Sequence, residues 1–417
     1  MTANTAATTT PAELWPELPQ VPILGSEYQD DPHGFHRRAL ELSPVAVCEL
    51  GLMALSYDTV RTVLRDRRFR QPDALGLAMR GVTSGPLWDR MAGALLSLDG
   101  EEHHRLRKLV VRAFTPACAA RLHGAMTDVI TELTDAIAPA GHCDIVADVA
   151  RPYPIPIICE LLGAPRQDWP LFSAWADDIF KIFNMTPAAD APDILRALDE
   201  LDAYLDQLVA RRRDDLSDDL ISNLIRAEEG GDRLTHDELL MIAGTVLTAG
   251  TDTTRNQLAA AVEVLAAHPD QWDLVARHPE SASDAVHELM RYRPIIFGTI
   301  RRAAEDVELA GVRIPAGTLV AANTASANRD PDVHEDPERL DITRQNSPAI
   351  LNFGGGVHYC LGAHLARLEL TEAPRVITQR MPNPRHTGPS PWKGMAGITG
   401  PTTLPLEFDV TTVVRHG

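Results

Sequence analysis

Residues 353–362 read Phe353-Gly-Gly-Gly-Val-His358-Tyr-Cys360-Leu-Gly362, and the stretch that follows, Ala363 to Val376, has helical spacing. Three consecutive glycines permit backbone conformations closed to other residues and let a flat ligand approach the chain closely. Cys360 stands at the start of the helical pattern, where the positive end of a helix lowers a thiol pKa and favours thiolate. A thiolate in that setting can ligate a metal or act as a nucleophile. The plainer alternative is a buried cysteine beside a glycine-rich turn, and that alternative has to account for the whole ten-residue pattern.

Outward from this loop, helical periodicity dominates. Thr235 and Glu238 have capping-box spacing, and an apolar pattern then runs without a proline to His268, where Pro269 ends it. About 33 residues at ~1.5 Å each give a rod of roughly 50 Å. Its midpoint, Ala249-Gly250-Thr251-Asp252-Thr253-Thr254, gathers residue types that weaken a helix. One reading is a kink packed on a neighbour with hydroxyls bonded back to the preceding turn, which suits Thr251. The other is a functional interruption. Val307–Leu309 and Val312–Ile314 flank Ala310-Gly311, and Pro315-Ala316-Gly317 leads into Thr318–Ala322, a pattern that predicts a small meander. Leu404–Val410 is also β-prone, and the Pro-rich Met381 to Pro391 reads as loop. The expectation is a mainly α chain with a minor β region: an N-terminal tail over residues 1–22 and a single domain over residues 23–417.

Composition removes several function classes. The formal charge of −19 argues against nucleic acid, which needs a basic face, and against an anionic membrane surface. The N-terminus lacks the basic and apolar regions of a signal peptide, and no run approaches the ~20 apolar residues of a membrane span. No membrane anchor and a cytoplasmic location are therefore expected. Five widely spaced cysteines, odd in number and without a CxxC pair, fit a reducing compartment, with Cys48, Cys118, Cys143 and Cys159 as ordinary small buried side chains.

FGGGVHYCLG resembles the haem-binding loop of cytochromes P-450: Phe353, Gly356, His358, Cys360 and Gly362 each fill a place in that motif. The resemblance implies the cytochrome P-450 fold, with the long central helix crossing the haem. It implies one heme b (iron protoporphyrin IX) with Cys360 as the axial ligand to iron, Phe353 packed beside the sulfur and backbone N–H groups near Gly362 tempering its charge. The block on the long helix resembles the family's oxygen-activation motif. Ala249 and Gly250 would lie against the haem at a local opening of the helix. Thr253 would hydrogen-bond the bound oxygen and Asp252 would relay protons to it, a pairing that suits proton delivery.

Two further constellations carry the resemblance. Glu288 and Arg291, followed by Asp336-Pro337-Glu338-Arg339-Leu340, match the segments that form a buried Glu–Arg–Arg network in the family, a folding role. Leu340 departs from the common Phe, apolar for apolar. Haem propionates need local cations. His103 and Arg107 in Glu102-His103-His104-Arg105-Leu106-Arg107, Arg301 in Arg301-Arg-Ala-Ala-Glu-Asp306, and His358 match the family's propionate contacts.

The activity implied is that of a haem-thiolate monooxygenase inserting one atom of O2 into an apolar small molecule by hydroxylation or epoxidation. Electrons would come from NAD(P)H through a ferredoxin reductase and a ferredoxin, with Arg105, Lys108, Arg112, His364 and Arg367 as a basic island steering the acidic partner. The protein would act as a monomer. A peroxide-using haem-thiolate enzyme and a non-catalytic haem sensor or carrier are the alternatives, and the Asp252–Thr253 pair counts against both. Substrate-contacting segments are expected at Leu75–Leu96, Phe172–Met185, Ile295–Thr299 and around Gly397-Ile398, with Phe297 and Ile398 as contacts; Trp88, Phe180 and Phe183 could be either pocket or core.

Overall fold

The structure is a computed structural model that describes residues 10–229, 234–345, 347–394 and 397–410. Contacts divide it into two compact units. The first takes the described residues of Met1–Pro72, Ile296–Arg339 and Ser347–Tyr359; the second takes those of Asp73–Ile295, Leu340–Asn346 and Cys360–Gly417.

The first unit holds a five-stranded sheet in the order Val45–Cys48, Gly51–Ala54, Leu319–Ala322, Thr299–Ala303, Phe69–Arg70. Gly51–Ala54 and Leu319–Ala322 pair in parallel and the other neighbours antiparallel. Val45, Leu52 and Val320 from this sheet share a core with Trp15, Val60 and Val63. Val60, Val63 and Leu64 line the buried face of helix Tyr57–Arg65, whose N-cap Ser56 accepts from the Thr59 amide. The segment expected to be a tail is built into this unit from Thr10 on. Pro11–Leu14 is helical, the Trp15 indole donates to the Arg313 carbonyl at 3.2 Å, and Gln20 bridges to Val47.

The expected meander separates into two structures. Val307–Leu309 and Val312–Ile314 form a hairpin by themselves, while Leu319–Ala322 joins the larger sheet between two strands that are not its sequence neighbours. Turn chemistry around Ala310-Gly311 is local and legible; the destination of the next strand is set by non-local pairing.

The second unit is mostly helical. Its long helix spans His236–Ala266, with both halves of the Thr235/Glu238 capping box formed. It packs against Pro154–Leu162, Trp169–Phe180, Pro187–Arg213 and Ala363–Arg380, and its apolar positions are largely buried. Ala363–Arg380 runs past Val376, the end expected from the sequence. A three-stranded sheet of His142–Asp144, Pro405–Glu407 and Arg385–His386 places a short strand inside the Pro-rich stretch read as loop. No described helix is long and apolar enough to cross a membrane.

Candidate functional site

The glycine run does what three glycines allow, against an unforeseen neighbour. Gly354 and Gly356 have φ of +69° and +63°. A Cβ on Gly356 would lie 2.6 Å from the Leu64 carbonyl oxygen, so the loop presses on the end of helix Tyr57–Arg65. Tyr359 closes this segment of the first unit, and Cys360 begins the segment of the second that leads into helix Ala363–Arg380. The Gly362 N–H donates to the Cys360 sulfur, and the charges of Arg107 and Arg367 act on it in the same sense. Burial nevertheless outweighs them and holds the thiol above the ordinary cysteine value, contrary to the expectation from the helix end alone. The residue still has accessible surface, so the desolvation comes from closely packed neighbours rather than full enclosure. Cys48, Cys143 and Cys159 are buried, their thiols pushed up to about 11, 12 and 12; Cys118 is half-buried.

The cations expected to meet propionates lie in both units. On helix Gly100–Val110, His103 is buried and Arg107, four residues on, is half-buried with its guanidinium pKa lowered by desolvation. In the first unit Arg301 is 3% exposed and donates to Gln71 Oε1 at 3.0 Å, Thr299 Oγ1 at 2.9 Å and the Ile300 carbonyl at 3.0 Å. His358 is half-buried, and Phe353 is buried with its ring 6.4 Å from that of Tyr359. Among the described residues no group of three or more His, Cys, Asp or Glu could hold a metal by itself. A lone sulfur donor suits a metal that arrives with its other ligands in a macrocycle, and in the same unit His103 and Arg107 on one helix suit a macrocycle bearing carboxylates. The residues fit haem.

The long helix is unbroken through its motif, so the expected local opening is not present. Thr248, Thr251 and Thr253 donate to the carbonyls of Gly244, Thr248 and Ala249 at 2.9, 2.9 and 2.8 Å. Gly250 is explained by packing: a Cβ there would lie 2.4 Å from Ile158 Cδ1. Ala249 and Thr253, four apart, belong to the accessible stripe of an otherwise buried helix. Thr254 turns the other way and donates to Glu369 Oε2 at 3.1 Å; Glu369 is enclosed, and desolvation pushes its carboxyl up to about 8.

Asp252 is 2% exposed, and its Oδ1 meets the Arg255 guanidinium and, at 3.7 Å, the Lys393 amine. Arg255 also donates to Asp177 Oδ1 at 2.6 Å. These four residues line a cavity of about 390 Å³ with Phe180, Phe183 and Ile398 in its wall. Sequence reasoning named Asp252, Ile398, Phe180 and Phe183 and the segment that holds Asp177, but missed Arg255 and Lys393. The i,i+3 spacing of Asp252 and Arg255 was a usable signal; nothing in the sequence joins Lys393 to them.

The ion network and the basic island differ from what the sequence implies, and other expected residues are placed as follows. Glu288 and Arg291 form a buried bidentate pair at 2.7 and 2.8 Å, but the second guanidinium on Glu288 belongs to Arg344, whose Nε lies 3.3 Å from Oε2. Arg339 is 64% exposed and pairs with Asp336 at 3.5 Å. Phe297 packs against the rings of His33 and His36, with centroids 5.1 and 6.0 Å away, an aromatic cluster of the first unit. Trp88 is partly buried and packs against the core cluster that holds Leu77 and Leu87. In the basic island Lys108 and His364 are exposed, but Arg105 is committed to Glu238, with Nη1 3.3 Å from Oε2. The side chain of Arg112 lies outside the described residues.

Against known proteins, the cytochrome P450 family model matches residues 170–275 and 282–373. The chain is 36% identical to luteothin monooxygenase of Streptomyces thioluteus over 97% of its length and 99% of that protein's. It is 39% identical to mycinamicin IV hydroxylase/epoxidase of Micromonospora griseorubida over 84% of its length and 88% of the relative's. The crystal structure of CalO2 superposes with a TM-score of 0.86 at 28% identity, covering 94% of this chain and all of that one. An accessible cysteine at the head of a helix, a matching family model and relatives aligned over most of their length lead to one assignment: the chain belongs to the cytochrome P450 family and is one of its monooxygenases.

Proposed function

We propose that residues 23–417 act as one catalytic domain. It would bind heme b through Cys360, with His103, Arg107, Arg301 and His358 on the propionates, Ala249 and Gly250 alongside, and Phe353 and Gly362 around the sulfur. The reaction would insert one atom of O2 into an apolar small molecule, by hydroxylation or epoxidation. Electrons would come from NAD(P)H through a ferredoxin reductase and a ferredoxin, to a monomer in the cytoplasm. With haem bound, thiolate ligation pushes electron density onto iron and promotes O–O cleavage.

The observation that carries this reading is the acid–alcohol pair. Asp252 is a buried carboxylate on a cavity wall, and Thr253 follows it on the accessible stripe of the helix. Because the Thr253 hydroxyl donates to Ala249, its lone pairs remain free to accept from an O–H beside it. Asp252 can take a proton from the cavity and pass it on, held in place by its contacts with Arg255 and Lys393. A carrier or sensor has no use for such a pair.

The test is the ferrous–carbonyl spectrum. Wild type should give the red-shifted Soret band of thiolate ligation, and Cys360→Ser should lose it, while single substitutions of Cys48, Cys118, Cys143 or Cys159 should not. Retention of the band by Cys360→Ser would overturn the ligand assignment. NAD(P)H oxidation matched by product, with ferredoxin and reductase supplied, separates monooxygenation from peroxide use.

A further inference from the structure

The cavity beside Asp252 carries more positive charge than its own carboxylates neutralise. Four cations reach it, Arg151, Lys181, Arg255 and Lys393, against Asp177 and Asp252. Lys181 is satisfied from outside, by Asp178 at 2.7 Å and Asp193 at 2.9 Å. Asp177 is shared by Arg151 through Oδ2 and Arg255 through Oδ1. Asp252 is shared by Arg255 and Lys393 through the same oxygen, Oδ1. Three cations therefore divide two carboxylates, and the least satisfied is Lys393, whose amine stands 3.7 Å from an oxygen already engaged by Arg255. That separation is too long for a hydrogen bond.

Lys393 is not a freely solvated surface lysine. Its side chain is 37% accessible, and burial lowers its pKa below the ordinary lysine value, with the charge of Asp252 opposing, that of Arg255 adding to the effect and that of Asp177 opposing it. Phe180, Phe183, Ile398 and Pro401 line the same cavity and make part of its wall apolar. A ligand matching both halves has an apolar body and one negative charge, which would relieve the unbalanced ammonium in a partly desolvated space. On a chain of net charge −19, such a local surplus of cation also concentrates field where an anion must enter.

We propose that this cavity receives an anionic group, a carboxylate or a phosphate monoester borne on an apolar body, and that Lys393 is the residue that selects it. The proposal rests on the monooxygenase reading only in taking the ligand as substrate. The choice of anion is left to the test.

Isothermal titration of the haem-loaded enzyme with dodecanoate, dodecyl phosphate, methyl dodecanoate and dodecylamine measures binding without turnover. At least one of the two anions should bind about tenfold or more tightly than the ester and the amine, and the tighter anion identifies the group. Lys393→Met should erase that preference, and Lys393→Arg should keep it. Equal affinity of wild type for both anions and the ester would overturn the proposal without recourse to any variant. So would an unchanged preference in Lys393→Met. Because calorimetry reads binding, a failed monooxygenase reading would show in the carbonyl spectrum and in product formation instead, and would leave this outcome intact.

Discussion

The Thr253 hydroxyl bonds to the carbonyl one turn back, as a threonine inside a helix does with no catalytic duty at all. Thr251 makes the same kind of bond from a fully buried position. The two residues therefore offer a controlled comparison. Thr251→Ala should lower stability by about 1 kcal/mol, through a lost buried contact, and leave coupling alone. Thr253→Ala should change stability by less than about 0.5 kcal/mol. NAD(P)H consumption should stay close to wild type, while product falls several-fold and hydrogen peroxide rises to match. Peroxide released per NAD(P)H oxidised is the measurement. An unchanged ratio in Thr253→Ala would reduce this residue to the role of Thr251.

Among the elements, the buried ion network tests which arginine matters. Glu288 is 3% accessible in its side chain; it receives Arg291 from its own helix, Arg344 from the segment after Leu340, and the Asp341 amide at 3.0 Å. Glu288→Ala leaves guanidinium groups buried without their carboxylate and should cost about 3–5 kcal/mol. Arg344→Ala should cost about 1–3 kcal/mol, and Arg339→Ala no more than about 0.5 kcal/mol. Urea midpoints of the three variants settle the order; equal losses for Arg339→Ala and Arg344→Ala would return Arg339 to the network. The reason the sequence misled here is physical. Two arginines stand five positions apart in one irregular segment, and only its tertiary course decides which turns inward. The long helix was legible almost to the residue because a capping box and a proline are local signals. The strands Val45–Cys48, Gly51–Ala54 and Thr299–Ala303 were not, because they are short and their pairing is non-local. Cys360 and Asp252 were legible for the same reason as the helix, each lying in a contiguous motif. Lys393 reaches Asp252 only through the fold.

At the scale of the whole molecule, His36 in the first unit and Glu369 in the second are buried titratable groups that set opposite limits on the pH range of stability. In the first unit His36 is enclosed between the Tyr28 hydroxyl at 2.9 Å and the Asn323 amide at 2.8 Å. Burial, with the Arg329 charge acting in the same direction and Asp31 against it, drives its pKa from 6.5 to about 3. Between those values the unfolded chain binds a proton that the folded chain refuses, so His36 costs stability as pH falls from about 6.5 toward 3. In the second unit Glu369, enclosed and accepting from Thr254, has its pKa raised from 4.5 to about 8. There the folded chain holds the proton more tightly, so stability is lost as pH rises from 4.5 through about 8 and levels off above. Glu369→Gln keeps a neutral side chain able to accept from Thr254 and removes the titration. Relative to wild type, its unfolding free energy in urea should therefore improve steadily with pH across that interval and stop improving above it. His36→Gln should show the mirror image, gaining on wild type as pH drops below about 6.5. Parallel curves for wild type and Glu369→Gln would mean that Glu369 is charged in the folded protein, and the hydrogen bond from Thr254 would then be one of several that stabilise a buried carboxylate.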